Sequence, residues 1–117
     1  MTPEGRQRIR LETLQMNRHA PFFFLYQDDE TDKLVWRGPL SVHGHYHADV
    51  RLVYNEAHPY LKMKVYVLQP QLPCVNLHIH EDGEICYEKN EWNPEWTAYA
   101  VYLTTIRFLE EFYSGGM

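Results

Sequence analysis

Polar and apolar positions alternate most regularly between residues 48 and 68. Ala48, Val50, Leu52 and Tyr54 fall on one face of an extended segment, with Asp49 and Arg51 on the other. His58-Pro59-Tyr60 breaks the run, and Lys62 to Leu68 resumes it with Met63, Val65 and Val67 together. Upstream, Phe22 to Tyr26 reads as a first strand and Asp28 to Asp32 as a polar turn. Lys33 to Arg37 reads as a second strand that Gly38-Pro39 ends or bends. The rhythm becomes helical at both ends. Thr2-Pro3 offers a capping hydroxyl and a first-turn proline, opening a helix to about Asn17 with Ile9, Leu11, Leu14 and Met16 as its apolar contacts. Asn93 caps a last helix with Pro94 in its first turn. Trp96, Tyr99, Ala100, Leu103 and Ile106 keep helical spacing, Phe108, Leu109, Phe112 and Tyr113 widen the apolar surface, and Gly115 and Gly116 end it. Pro70 and Pro73 deny regular structure to the stretch after the fourth strand. The predicted order is helix, four-stranded antiparallel meander, irregular segment, helix: an α+β arrangement in a single domain over residues 1–117.

Composition narrows the class without naming a chemistry. A chain of 117 residues with 44% hydrophobic content has room for one ordinary core. The net charge of −5 argues against nonspecific nucleic-acid binding. No run approaches the roughly 18 apolar residues of a membrane span, and the polar, Arg-rich start is unlike a signal peptide. Cys74 and Cys86 could pair on count alone. In a chain that can build its own core without a secretory signal they read as reduced thiols, which points to the cytoplasm.

The chemistry concentrates around Cys86. It closes the segment His78-Ile79-His80-Glu81-Asp82-Gly83-Glu84-Ile85-Cys86, and Trp92-Asn93-Pro94 follows. With His58-Pro59-Tyr60 before the fourth strand, these motifs resemble the ubiquitin-conjugating enzyme (E2, UBC-like) family in their order along nearly the whole chain. That family has a Tyr-Pro turn, Gly-x-Ile-Cys in a Cys-bearing loop, and Trp-Ser-Pro leading into a central helix. The departures are specific. Where the family has His-Pro-Asn, this chain has Asn76-Leu77-His78, so His78 stands in place of the asparagine. The stretch from Cys86 to Trp92 is short, and the two later helices of many members are expected to be absent. In these features the chain is most similar to compact, divergent bacterial E2-like proteins of ubiquitination-like and antiphage operons.

The resemblance implies a cysteine thioester enzyme with no cofactor. Cys86 would accept a ubiquitin-like modifier from an E1-like activating enzyme and pass it to a protein target. His78 would supply an N–H to the tetrahedral oxyanion, or simply brace the loop. Glu88 stands where members carry an acid that orients the nucleophile or takes its proton; the plainer reading is a solvated loop acid. Glu81, Asp82, Glu84, Glu88 and Glu91 make the surroundings acidic, the wrong setting for a papain-type nucleophile or a peroxide sensor. Transthiolation still works there, because docking on the E1 supplies proximity. Arg6, Arg8 and Arg10 resemble the basic first-helix face offered to E1, though a solvated charged face explains them equally. Tyr60 and Pro94 would belong to an E3-type contact surface. Glu95 replaces the small residue usual in RING-binding members, so an ordinary RING partner is not expected.

Two other readings compete. His43-Gly44-His45-Tyr46-His47 alternates histidines, and His78 and His80 add two more. On a strand such residues share a face and could bind a metal, as in a cupin-like oxygenase or a zinc hydrolase. Gly44 argues for a bend, where alternation loses its meaning. A non-catalytic E2-variant binding module would keep the fold, but the cysteine in the matching position argues against it.

Overall fold

The computed structural model describes residues 1–74, 78–88 and 91–115. Helix α1 spans Pro3–His19, and its Thr2 cap accepts a hydrogen bond from the Gly5 amide at 3.0 Å. Its buried stripe is Gly5, Ile9, Glu12 and Met16. Leu11 and Leu14, expected as core contacts, are 61% and 70% exposed. The imperfect apolar periodicity has a simple cause: a glutamate, Glu12, occupies a core position on this helix.

Among the described residues, five strands follow instead of four: β1 (Phe24–Gln27), β2 (Leu34–Val42), β3 (Tyr46–Val53), β4 (Lys64–Gln69) and β5 (Glu84–Ile85). They form one antiparallel sheet in chain order. The fifth strand was not foreseen because two residues carry no periodicity. β2 does not stop at Gly38-Pro39. The Phe23 ring lies over Gly38 so closely that a Cβ there would sit 2.5 Å from it, leaving glycine as the residue that fits. β1 pairs only as far as Arg37, so Pro39 falls where β2 has one free side, which is where a strand tolerates proline.

The alternation read for β3 and β4 holds: Ala48, Val50, Leu52, Tyr54, Met63, Val65 and Val67 are all buried. Helix α2 (Ala98–Tyr113) covers this face with Ala98, Val101, Thr105, Phe108 and Leu109. Two expectations for it are corrected. Thr97 is the cap, accepting from the Ala100 amide at 3.1 Å. Asn93 instead closes a turn, with its side chain accepting from the Glu95 amide at 2.9 Å. The buried face is also rotated from the predicted stripe, leaving Leu103 exposed. Ser114 follows the helix, and Gly115 has φ +73°; Gly116 lies outside the described residues.

A polar cluster ties the helices to the sheet. Glu12, 1% exposed, receives the Tyr54 hydroxyl at 3.0 Å and the Ala98 amide at 2.7 Å on Oε1. On Oε2 it receives His58 Nε2 at 2.7 Å and Arg8 Nε at 3.2 Å. Trp36 Nε1 donates to the Tyr54 hydroxyl at 3.0 Å. Burial, then the Glu12 charge, pushes the Tyr54 phenol well above its usual range.

Candidate active site around Cys86

Residues 78 to 86 fold as a small hairpin. Ile79 bridges Ile85, the Cys86 amide donates to His78 O at 2.8 Å, and the His80 amide donates to Glu84 O at 2.9 Å. The turn between them is fixed from two sides. Asp82 Oδ1 accepts from the Glu84 amide at 3.0 Å. Gly83, at φ +91°, comes so close to β4 that a Cβ would lie 2.7 Å from Val67 O. β5 then pairs with β4 through Val65–Ile85 and Tyr66–Glu84. The sheet edge thus carries the chain to Cys86, which is half-buried with a free thiol. One step out from the bridge, the register sets His78 across from Cys86. Asn76 and Leu77 of the same motif lie outside the described residues. Cys74, also free, is exposed.

Glu88 departs from the expected solvated acid: it is 2% exposed. Its Oε1 receives Lys62 Nζ at 2.8 Å and lies 3.8 Å from Cys86 Sγ, while Oε2 is buried with no partner among the described residues. Tyr87 explains the burial. Its ring enters the core and its hydroxyl donates to Met63 O at 2.6 Å, drawing the turn after Cys86 against the body of the protein. Burial foremost holds the Tyr87 phenol far above its usual range, with the Glu88 charge adding to it. The Glu88 hydrogen bond chiefly raises the Lys62 ammonium, against a smaller opposing effect of burial.

Sequence reasoning missed Lys62. It lies just before β4, far from Cys86 along the chain, and nothing in its local pattern marks it; only the pairing of β4 with β5 brings the two segments together. Beside it, Tyr60, Leu61, Lys62, Glu88 and Trp92 line a groove of about 360 Å³. Trp92 Nε1 donates to Pro59 O at 3.1 Å, joining the loop of Tyr60 to that of Pro94. Both Tyr60 and Pro94 are exposed, and the Tyr60 hydroxyl donates to Glu4 at 2.8 Å.

The first-helix arginines divide. Arg6 and Arg10 are exposed. Arg8 turns inward to Glu12 and to Trp96 O at 3.2 Å, an architectural duty. The histidine run also separates. His43 and Gly44, at φ 52° and 75°, form the β2–β3 turn. His43 Nε2 meets Glu110 O and Ser114 Oγ at 3.1 Å each, and His45 Nδ1 contacts His43 O at 2.9 Å. Among the described residues, no three His, Cys, Asp or Glu side chains converge as metal ligands. Nor, among them, is any helix long and apolar enough to cross a membrane.

No protein-family model matches the sequence, and no curated protein does. Among solved structures, the chain is similar to a ubiquitin-conjugating enzyme E2 from Plasmodium falciparum, at 18% identity and a TM-score of 0.62, over 89% of this chain and 96% of that one. An N-terminal helix, an antiparallel sheet and a C-terminal helix in that arrangement give this protein the UBC-like α+β fold.

Proposed function

We propose that this protein is an E2-like conjugating enzyme. It takes a ubiquitin-like modifier from an E1-like enzyme as a thioester on Cys86 and transfers it to a protein target, without a cofactor. The supporting observation is a half-buried thiol at the end of the β5 hairpin, with His78 in register across from it and the Glu88 carboxylate 3.8 Å away, on a UBC-like scaffold.

On charging, Sγ attacks the carbonyl carbon of the E1 thioester, and the bond to the E1 sulfur breaks. The Cys86 proton passes through Glu88 Oε1 to the departing E1 thiolate, leaving Glu88 unchanged. On discharge, an acceptor amine or hydroxyl attacks the same carbon. His78 faces the developing oxyanion, Glu88 takes the acceptor's proton, and the Cys86 thiolate leaves. Arg6 and Arg10 are the basic groups available to an E1, and Tyr60 and Pro94 to an E3-type partner.

The test is charging. The natural reagents are an E1-like enzyme and a modifier encoded beside this chain, as the resemblance to bacterial antiphage E2-like proteins implies. With ATP, the protein should gain a reductant-sensitive adduct that Cys86→Ala abolishes and Cys74→Ala leaves in place. An adduct that survives Cys86→Ala would refute the assignment.

A further inference from the structure

Cys86 sits in an acid-rich segment, and Glu88 touches its sulfur. A carboxylate alone at that distance would oppose the build-up of negative charge on sulfur that nucleophilic attack requires. Among the described residues, the cation that reaches this carboxylate is Lys62, brought from just before β4 to within 2.8 Å of the Glu88 oxygen that faces Cys86. The two partners are unequally buried: the Lys62 side chain is 40% exposed, whereas Glu88 is sealed off. The pair is therefore not a surface ion pair. It is a buried anion with a single cation on its outer side and no partner on its second oxygen among the described residues.

From this geometry we propose that Lys62 is a positioning residue for Cys86 chemistry: it fixes the Glu88 carboxylate beside Sγ and offsets its charge there, so that the sulfur can act as a nucleophile. The proposal builds on the conjugating reading above for its biological use, but it is a statement about the thiol and can be tested without any partner. The hydrogen bond of Lys62 goes to Glu88 and not to Cys86, so it acts chiefly through that carboxylate. Two consequences separate this from simple bracing. Removing the cation should slow Cys86, and removing the anion should speed it. A loosened loop would instead expose the sulfur and speed both.

The experiment is alkylation of the full chain by iodoacetamide at fixed pH and low ionic strength, with Cys74→Ser so that Cys86 alone reports. Lys62→Met should slow the reaction on the order of 3- to 10-fold, and Glu88→Gln should accelerate it by a similar factor. Lys62→Arg should react like the parent. The double variant Lys62→Met/Glu88→Gln, which leaves neither charge, should return close to the parent rate. Lys62→Met reacting as fast as the parent, or faster, overturns the proposal, as does Lys62→Arg behaving like Lys62→Met. E1-dependent charging of the same variants keeps the two ideas apart. The alkylation pattern without any thioester on the parent protein would sink the conjugating reading and leave Lys62 in its role. Charging of Lys62→Met at the parent rate, with unaltered alkylation, would do the reverse.

Discussion

Among the described residues two glutamates are buried, Glu12 at 1% and Glu88 at 2% exposure, and they are treated in opposite ways. Glu12 has donors on both oxygens, drawn from α1, the residue after β3, the loop before β4 and the first amide of α2. Its charge is compensated by Arg8 and spread over groups fixed by the fold, as a buried carboxylate needs in order to be stable. Glu88 has one oxygen held by Lys62 and directed at a thiol, and the other is empty of partners among the described residues. A carboxylate with spare acceptor capacity beside a cysteine is costly as architecture but useful as a proton acceptor. Equal burial thus marks a joint in one place and a candidate reaction centre in the other.

The largest expected difference is in stability. Glu12→Ala strips several buried donors of their acceptor and should lower the unfolding free energy by about 3–5 kcal/mol, read from urea titration. Glu88→Gln keeps the shape of the side chain and relieves a half-satisfied charge, so its change should stay within about 1 kcal/mol. Equal losses would erase the distinction.

Activity should reverse the ranking. Glu88→Gln should slow discharge of a preformed thioester to acceptor by about 10²-fold, through loss of the proton acceptor, even though its free thiol alkylates faster. His78→Ala should slow the same step by about 10²-fold with charging nearly intact. Glu12→Gln, assayed where it is folded, should discharge at the parent rate. If His78→Ala lowers charging and discharge equally and also lowers Tm, His78 braces the hairpin instead.

Alkaline pH should affect both regions together, because each holds a buried phenol, Tyr54 beside Glu12 and Tyr87 beside Glu88, with its pKa raised by burial. Folded, these tyrosines stay neutral where the unfolded chain ionises near pH 10. Their contribution is therefore complete below about pH 10 and declines as pH rises beyond it. Unfolding titrations from pH 7 to 11 should show a loss confined to the upper end, and Tyr87→Phe should flatten part of it.

The smallest effect belongs to the exposed arginines. Arg6→Glu with Arg10→Glu should slow charging by roughly tenfold or less at low salt and leave discharge unchanged. Arg8 is excluded from this pair because it serves Glu12. A charging rate indifferent to both reversal and salt would make Arg6 and Arg10 a solvated face.

Much of the fold was legible in the chain. Alternation over β3 and β4 reports a sheet with one covered face, Thr2 marks the start of α1, and the sequence of elements points to a helix–meander–helix arrangement, because these signals act over a few residues. The candidate site was legible only as a location: Cys86 by its motif, His78 by its spacing from it. Everything that gives Glu88 its character required the tertiary structure. Tyr87 has to bury its ring before Glu88 is sealed, and β4 has to pair with β5 before Lys62 can reach it. Likewise Glu12 spoils the apolar stripe of α1 when read alone, and makes sense only once Tyr54, His58 and Ala98 arrive from distant parts of the chain. Local patterning sets which face of an element turns inward. Whether a charged group can live there depends on partners that only the folded chain brings within hydrogen-bonding distance.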